Sequence, residues 1–243
     1  MSCVNLWSVC EDYGFVFTLQ AAWESVMQLP FSADQFFAVI RQYNEAVWPA
    51  QVLVLLLGLV AIAFLLWKRS WSSVGISGIL ALLWTWMGVV YHLAFFTSIN
   101  PLAYVFGAIS LVGAAVFVWL GMLRRELDFI PRRDGRGLMG MVLMVFALLI
   151  YPAWSSLAGH AYPNLPTFGL PCPTTIFTIG MLAMAVGSKV RIALVVPILW
   201  SLVGGQAAFL LEVPPDWGLL VAGLIALGLA FRVGRFPETA SQA

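Results

Sequence analysis

The chain contains two histidines, His92 and His160, and three cysteines, Cys3, Cys10 and Cys172. His160 and Cys172 share one stretch, residues 159–175, which also holds Thr174, Thr175 and four of the thirteen prolines. Imidazole and thiolate are ligands for Zn²⁺ or copper, and two histidines can hold a haem iron axially. His92, His160 and Cys172 therefore form a candidate metal or haem set, drawn from three separate segments with no C-x-x-C or comparable local spacing. The same residues offer a second chemistry. Ser155, Ser156 and Cys172 are nucleophile types near a histidine, and Glu45, Glu212 or Asp216 could orient it. No recognisable catalytic motif surrounds them, and a histidine at a helix end is more often a packing residue. The third chemistry is recognition without reaction. Cys172, Thr174, Thr175, His92, His160 and Glu45 would then line a solute site, with Trp84 and Trp200 as its apolar walls.

The elements that must position these groups are apolar. Of 243 residues, 62% are hydrophobic and 9% charged, against about 25% charged in a soluble globular protein. A chain of this composition is solvated by lipid, where only helices and closed barrels satisfy their backbone polar groups. Its apolar runs approach 20 residues without alternation, which selects helices (about 20 residues span the bilayer). The expectation is an all-α integral membrane protein with seven transmembrane helices, at about residues 49–67, 74–96, 101–123, 138–158, 173–187, 192–211 and 216–231. Pro152 interrupts the fourth. The net charge of +1 gives no case for a nucleic-acid partner; the partner is the bilayer itself, with a small molecule or ion as candidate ligand.

Residues 48–236 make up this membrane domain. Ahead of it, residues 27–47 form an outer-face module. Ser32-Ala33-Asp34-Gln35 is a capping box, and Phe31 and Phe36 occupy the staple positions around it. Phe36, Phe37, Ile40 and Tyr43 then make one apolar stripe, predicting an amphipathic interfacial helix over 31–46. Residues 1–26 read as an extension, with Met27 as an alternative start; they lack the basic n-region of a signal peptide. A Cys3–Cys10 disulfide would require an oxidising compartment. Residues 237–243 form a polar tail.

With seven spans, eleven of the twelve basic residues fall on one side, and only Arg41 on the other. The positive-inside rule then places the N-terminus outside and the C-terminus in the cytoplasm. Glu45, His92, His160, Cys172, Thr174 and Thr175 all come to the outer side. Lys68 and Lys189, the only lysines, lie at cytoplasmic ends, which argues against a retinal Schiff base.

An offset of 116 residues superposes Trp84 on Trp200, Gly88 on Gly204 and Gly107 on Gly223. Two Leu/Val/Gly-rich helix pairs can match by composition alone. A true duplication would instead give three helices, a linker helix and three more, a 3+1+3 parallel repeat of the kind found among transporters. The fifth span is short. Residues 173–187 would rise roughly 22 Å at about 1.5 Å per residue, against a hydrocarbon core of about 30 Å. A short, proline-marked segment points to a binding site, and its helix start favours an anion and a thiolate at Cys172.

Five strings carry a family resemblance: F-x-A-V-I-R-Q-Y-N-E-A-V-W-P ending at Pro49, W-x-W-M-G-V-V-Y-H from Trp84 to His92, I-N-P-x-A-Y-x-F-G from Ile99 to Gly107, Y-P-x-L-P-T-F-G-x-P-C-P-T-T-I-F-T from Tyr162 to Thr178, and L-V-G-G-x-A-A-F-L-L from Leu202 to Leu211. Over about Phe31 to Phe231 the chain resembles a family of bacterial integral membrane proteins of unknown function, some labelled permease. The resemblance implies a bacterial inner-membrane location and a start near Met27. It supplies no mechanism. The readings in order are a small-molecule permease with an outward site, a metal- or haem-binding membrane protein, and an accessory subunit or membrane enzyme.

Overall fold

The computed structural model describes residues 29–232. The extension, its Met27 start, the Cys3–Cys10 pair and the C-terminal tail lie outside them. The described chain is helical almost throughout. Helix α1 (Ala33–Val47) is followed by α2 (Ala50–Leu66), α3 (Ser72–Ser98), α4 (Ala103–Leu123), α5 (Gly135–Leu157), α6 (Pro171–Ala183), α7 (Val190–Leu210) and α8 (Pro214–Arg232). Two short strands, β1 (Asp128–Phe129) and β2 (Ala185–Val186), pair antiparallel at the basic end.

Five helices, α3, α4, α5, α7 and α8, are long and apolar enough to cross a membrane. Their outer faces carry large exposed aliphatic side chains, among them Val112, Leu149, Val195, Val221 and Leu224. Exposed apolar surface on this scale suits lipid rather than water, so the helices fit a membrane location. Helix α2 is shorter, at 17 residues, and it is apolar on all sides, with Leu53, Leu56 and Leu59 exposed. Helix α6 has only 13 residues. Each of the seven expected apolar segments is thus a helix, and α2 and α6 fall short of a full span.

Helix α6 is the axis of the bundle. Every residue of it except Cys172 is buried, as expected for a helix that is apolar all round. It approaches α5 backbone to backbone. A Cβ on Gly140 would lie 2.7 Å from the Gly180 carbonyl oxygen, and one on Gly180 would lie 2.8 Å from that of Gly140. At its C-terminus the Arg136 guanidinium donates to the carbonyls of Ala185, at 2.6 Å, and Leu182, satisfying acceptors that the ending helix leaves open. This arginine of the basic end therefore caps α6 as well as adding charge.

Three of the long helices contain π-helical segments, Met87–Leu93 in α3, Phe117–Leu123 in α4 and Phe146–Ile150 in α5. The last precedes Pro152, whose ring and missing N–H disturb the regular ladder. The helix widens there and continues. In α3 the wide turn buries both Tyr91 and His92.

Helix α1 begins with the expected capping box between Ser32 and Gln35, and the Phe31 and Phe36 rings stack at 6.3 Å. It then turns by 89° into α2. Val39, Ile40, Tyr43 and Asn44 are buried, so α1 packs over the end of the bundle instead of exposing its whole stripe to an interface.

Candidate functional site

The segment from 159 to 170 is pinned to α1 by Asn44. The Asn44 Nδ2 donates to the carbonyls of Pro163 and Leu165 at 2.6 and 2.7 Å. Its Oδ1 accepts from Gln51 Nε2 and Thr167 Oγ1. Arg41 Nε adds a bond to Asn164 Oδ1 at 2.9 Å, and the Trp86 indole donates to the Tyr43 hydroxyl at 2.7 Å. A fully buried amide that uses both ends is a fixed joint. It satisfies proline-rich, non-helical backbone beneath α1, where secondary structure cannot. Asn44 was not among the sequence candidates. Its signal was an amide beside Tyr43 at the edge of the apolar stripe of α1, with Gln51 seven residues on.

Beneath this cover lies a cavity of about 350 Å³. Every helix except α2 contributes to its wall: Ile40 from α1, His92 from α3, Phe106 from α4, Tyr151 from α5, Cys172 from α6, Trp200 from α7 and Asp216 from the first turn of α8. His92, Phe106 and Trp200 form a triangle of edge-to-face rings. The centroids are 4.9 Å apart for His92 and Trp200, 5.8 Å for His92 and Phe106, and 5.4 Å for Phe106 and Trp200. Also in the wall, the Tyr151 hydroxyl donates to Asp216 Oδ1 at 2.6 Å, with the Cys172 thiol adjoining both.

Several polar atoms of this wall are buried without a hydrogen-bond partner among the described residues. They are both ring nitrogens of His92, the indole nitrogen of Trp200 and Oδ2 of Asp216. Buried polar atoms are normally paired. Four such unpartnered atoms, from three residues, lie at this one cavity.

The structure sorts the sequence candidates. His92, Cys172 and Trp200 line the cavity. Trp84 does not: it is fully buried in the core, and its indole donates to Thr178 Oγ1 at 3.0 Å. The residue matched to it at the 116-residue offset thus has a different job, because Trp84 faces α6 whereas Trp200 faces the cavity. Thr174 and Thr175 are buried within α6 and are not part of the cavity lining. Glu45 is exposed on α1. His160 stacks on Phe37 at 3.8 Å between ring centroids, outside the cavity. The three-residue set of His92, His160 and Cys172 is therefore not brought together, and no group of three His, Cys, Asp or Glu side chains among the described residues could hold a metal ion. The anion expected at the start of α6 is also poorly served. The cavity wall has a carboxylate, Asp216, and no lysine or arginine.

The fold defines a helical protein whose long apolar helices suit a membrane, with a covered cavity at the end opposite its basic loops. The chain belongs to the family of unknown function DUF6064, whose model matches residues 33–241. Neither a curated protein nor a solved structure matches it.

Proposed function

We propose that the chain is a seven-span bacterial inner-membrane permease, with the N-terminus outside and the C-terminus in the cytoplasm, whose solute site is the cavity under α1. The observation that carries this reading is the cavity itself, about 350 Å³ walled by side chains from seven helices with unpartnered polar atoms. Solute sites in membrane bundles are concave, mostly apolar and furnished with a few polar groups. A site formed where a short helix begins, beside non-helical backbone covered by protein, fits the pattern of membrane carriers.

Counting α2 and α6 as spans completes an odd number of crossings and gathers the basic residues on one side. The 3+1+3 repeat belongs to this reading and rests on the 116-residue sequence offset, and each helix pair packs closely at a glycine. A Cβ on Gly88 would lie 3.1 Å from the Gly107 carbonyl between α3 and α4, and one on Gly223 would lie 2.6 Å from Ser201 Cβ between α7 and α8. Both helix pairs close over small residues, with Ser201 standing one turn before Gly204, the counterpart of Gly88.

Cys172 reports on the cavity. With Cys3 and Cys10 changed to serine it becomes the sole thiol. A small, membrane-impermeant methanethiosulfonate added outside intact spheroplasts should label it, and α1 should slow the reaction of bulkier reagents. A Cys172 inert to small charged and neutral thiol reagents alike would overturn the solute-site reading.

A further inference from the structure

The lining of the cavity has a definite charge character. Asp216 is its acidic side chain, 1% exposed, and no lysine or arginine faces it among the described lining residues. Tyr151 satisfies Oδ1, while Oδ2 is left without a partner. The same cavity is lined by the rings of His92, Phe106 and Trp200, and His92 also contacts those of Tyr91 and Phe96. A buried carboxylate needs a partner of opposite charge or a full set of donors. Aromatic walls attract cations through their ring faces, most strongly where water is excluded. An imidazole with both nitrogens free adds one acceptor lone pair in its neutral form.

We infer that the cavity binds a small organic ammonium ion, its charge against Asp216 Oδ2 and its alkyl groups against the His92, Phe106 and Trp200 rings. This rests on the solute-site reading of the cavity and names its ligand class. A neutral solute could donate to Oδ2 but would bring no charge to set against the carboxylate and the ring faces. An anion would meet Asp216 with repulsion, at a site with neutral donors and no lysine or arginine to offset the charge. The ammonium ion answers the carboxylate, the rings and the free imidazole nitrogen together. It is either a free solute or the headgroup of a lipid that enters from the side.

The test uses the full chain in nanodiscs of phosphatidylglycerol, which carry no ammonium lipid. Three probes of similar size are titrated by calorimetry: choline, its uncharged isostere with carbon in place of nitrogen, and pivalate. Choline should bind about tenfold or more tightly than its isostere, the preference expected of a desolvated cation–π and charge pair, and pivalate should not bind. Asp216→Asn should remove the preference for charge. Trp200→Ala should weaken choline more than Trp200→Phe, which keeps a ring. Displacement of choline by added phosphatidylcholine would identify a lipid headgroup as the occupant, and its failure would identify a free solute.

Equal binding of choline and its isostere to the native chain would overturn the assignment, and that comparison holds even if the Asp216 variant fails to fold. Full retention of choline binding by a folded Asp216→Asn would also overturn it. If no probe binds while Cys172 is labelled, the ammonium assignment fails and the cavity reading stands. If no probe binds and Cys172 is inert, both fail.

Discussion

The Tyr151 hydroxyl donates a 2.6 Å hydrogen bond to Asp216 Oδ1 across 65 residues of chain. It joins α5, just beyond its π-helical turn, to the 3-10 turn that opens α8. Both residues are 1% exposed. The bond holds the cavity's carboxylate in place and leaves its other oxygen open.

Removing that donor should be costly. Tyr151→Phe keeps the ring and deletes the hydroxyl, leaving Asp216 with less of its hydrogen bonding. The loss should be about 1–3 kcal/mol, the usual penalty for stranding a buried polar group. Thermal unfolding in detergent should show a lower Tm for Tyr151→Phe, and adding Asp216→Asn should cost less than the sum of the two single changes. Strict additivity would show that the bond is not a coupled pair.

Asn44→Ala should release the segment it holds. The carbonyls of Pro163 and Leu165 and the side chains of Gln51 and Thr167 lose their partner together. A stability loss of roughly 2–4 kcal/mol follows from several stranded groups at about 1–3 kcal/mol each, partly recovered by water. Limited proteolysis should cut between 159 and 170 in the variant and spare the native chain. Equal resistance in the two would contradict the role given to Asn44.

Trp84 and Trp200 should part company on mutation. Trp84→Ala empties a fully buried core position and removes the donor to Thr178 Oγ1, at a cost of about 3–5 kcal/mol. Trp200→Ala removes a cavity wall whose indole nitrogen has no partner, and its Tm should fall less. The ranking is read from paired unfolding curves, and a larger fall for Trp200→Ala would reverse the assignment of core and cavity.

The carboxylates of the basic end set an acid limit. Arg132, hydrogen-bonded to Asp134, and the Gly137 N–H hold the Asp134 carboxyl down to about 2 from an ordinary 3.8. Burial alone would raise Asp128, but the Lys68 ammonium and the Ser73 hydroxyl outweigh it and leave its carboxyl below the ordinary value. Folded values lower than unfolded ones stabilise the native state fully above the unfolded value. The contribution is lost as pH falls through the folded one. Tm should therefore be flat above about pH 5 and decline between about pH 4 and about pH 2. Asp134→Asn should start lower and decline less. Both sites are solvent-screened, so the difference should be modest.

Gly140→Ala tests the axis of the bundle. Its Cβ would press on the Gly180 carbonyl, which is backbone and cannot rotate away. Overpacking of this kind costs about 1–3 kcal/mol. The measure is Tm against a Gly228→Ala control, where a Cβ meets nothing within 4 Å.

Much of the architecture is legible along the chain, for a physical reason. In lipid each helix satisfies its own backbone, so the apolar runs announce α2 to α8 one by one, and the Ser32–Gln35 box announces the start of α1. The sequence by itself determined these helices, the clustering of basic residues into their connections and the crowding of polar groups toward one end. Which of those groups share a cavity was decided by tertiary structure. The π-helical turn at Met87–Leu93 buries His92 beside Tyr91, against the regular helical period. The 89° turn after α1 lays Asn44 over the prolines, and His160 is diverted onto Phe37. Asp216, read along the chain as one outer-side carboxylate among several, becomes a cavity wall because Tyr151 reaches it from another helix. Local sequence sets backbone pairing within a helix, whereas the rotation of each helix about its own axis is fixed only by the neighbours it packs against.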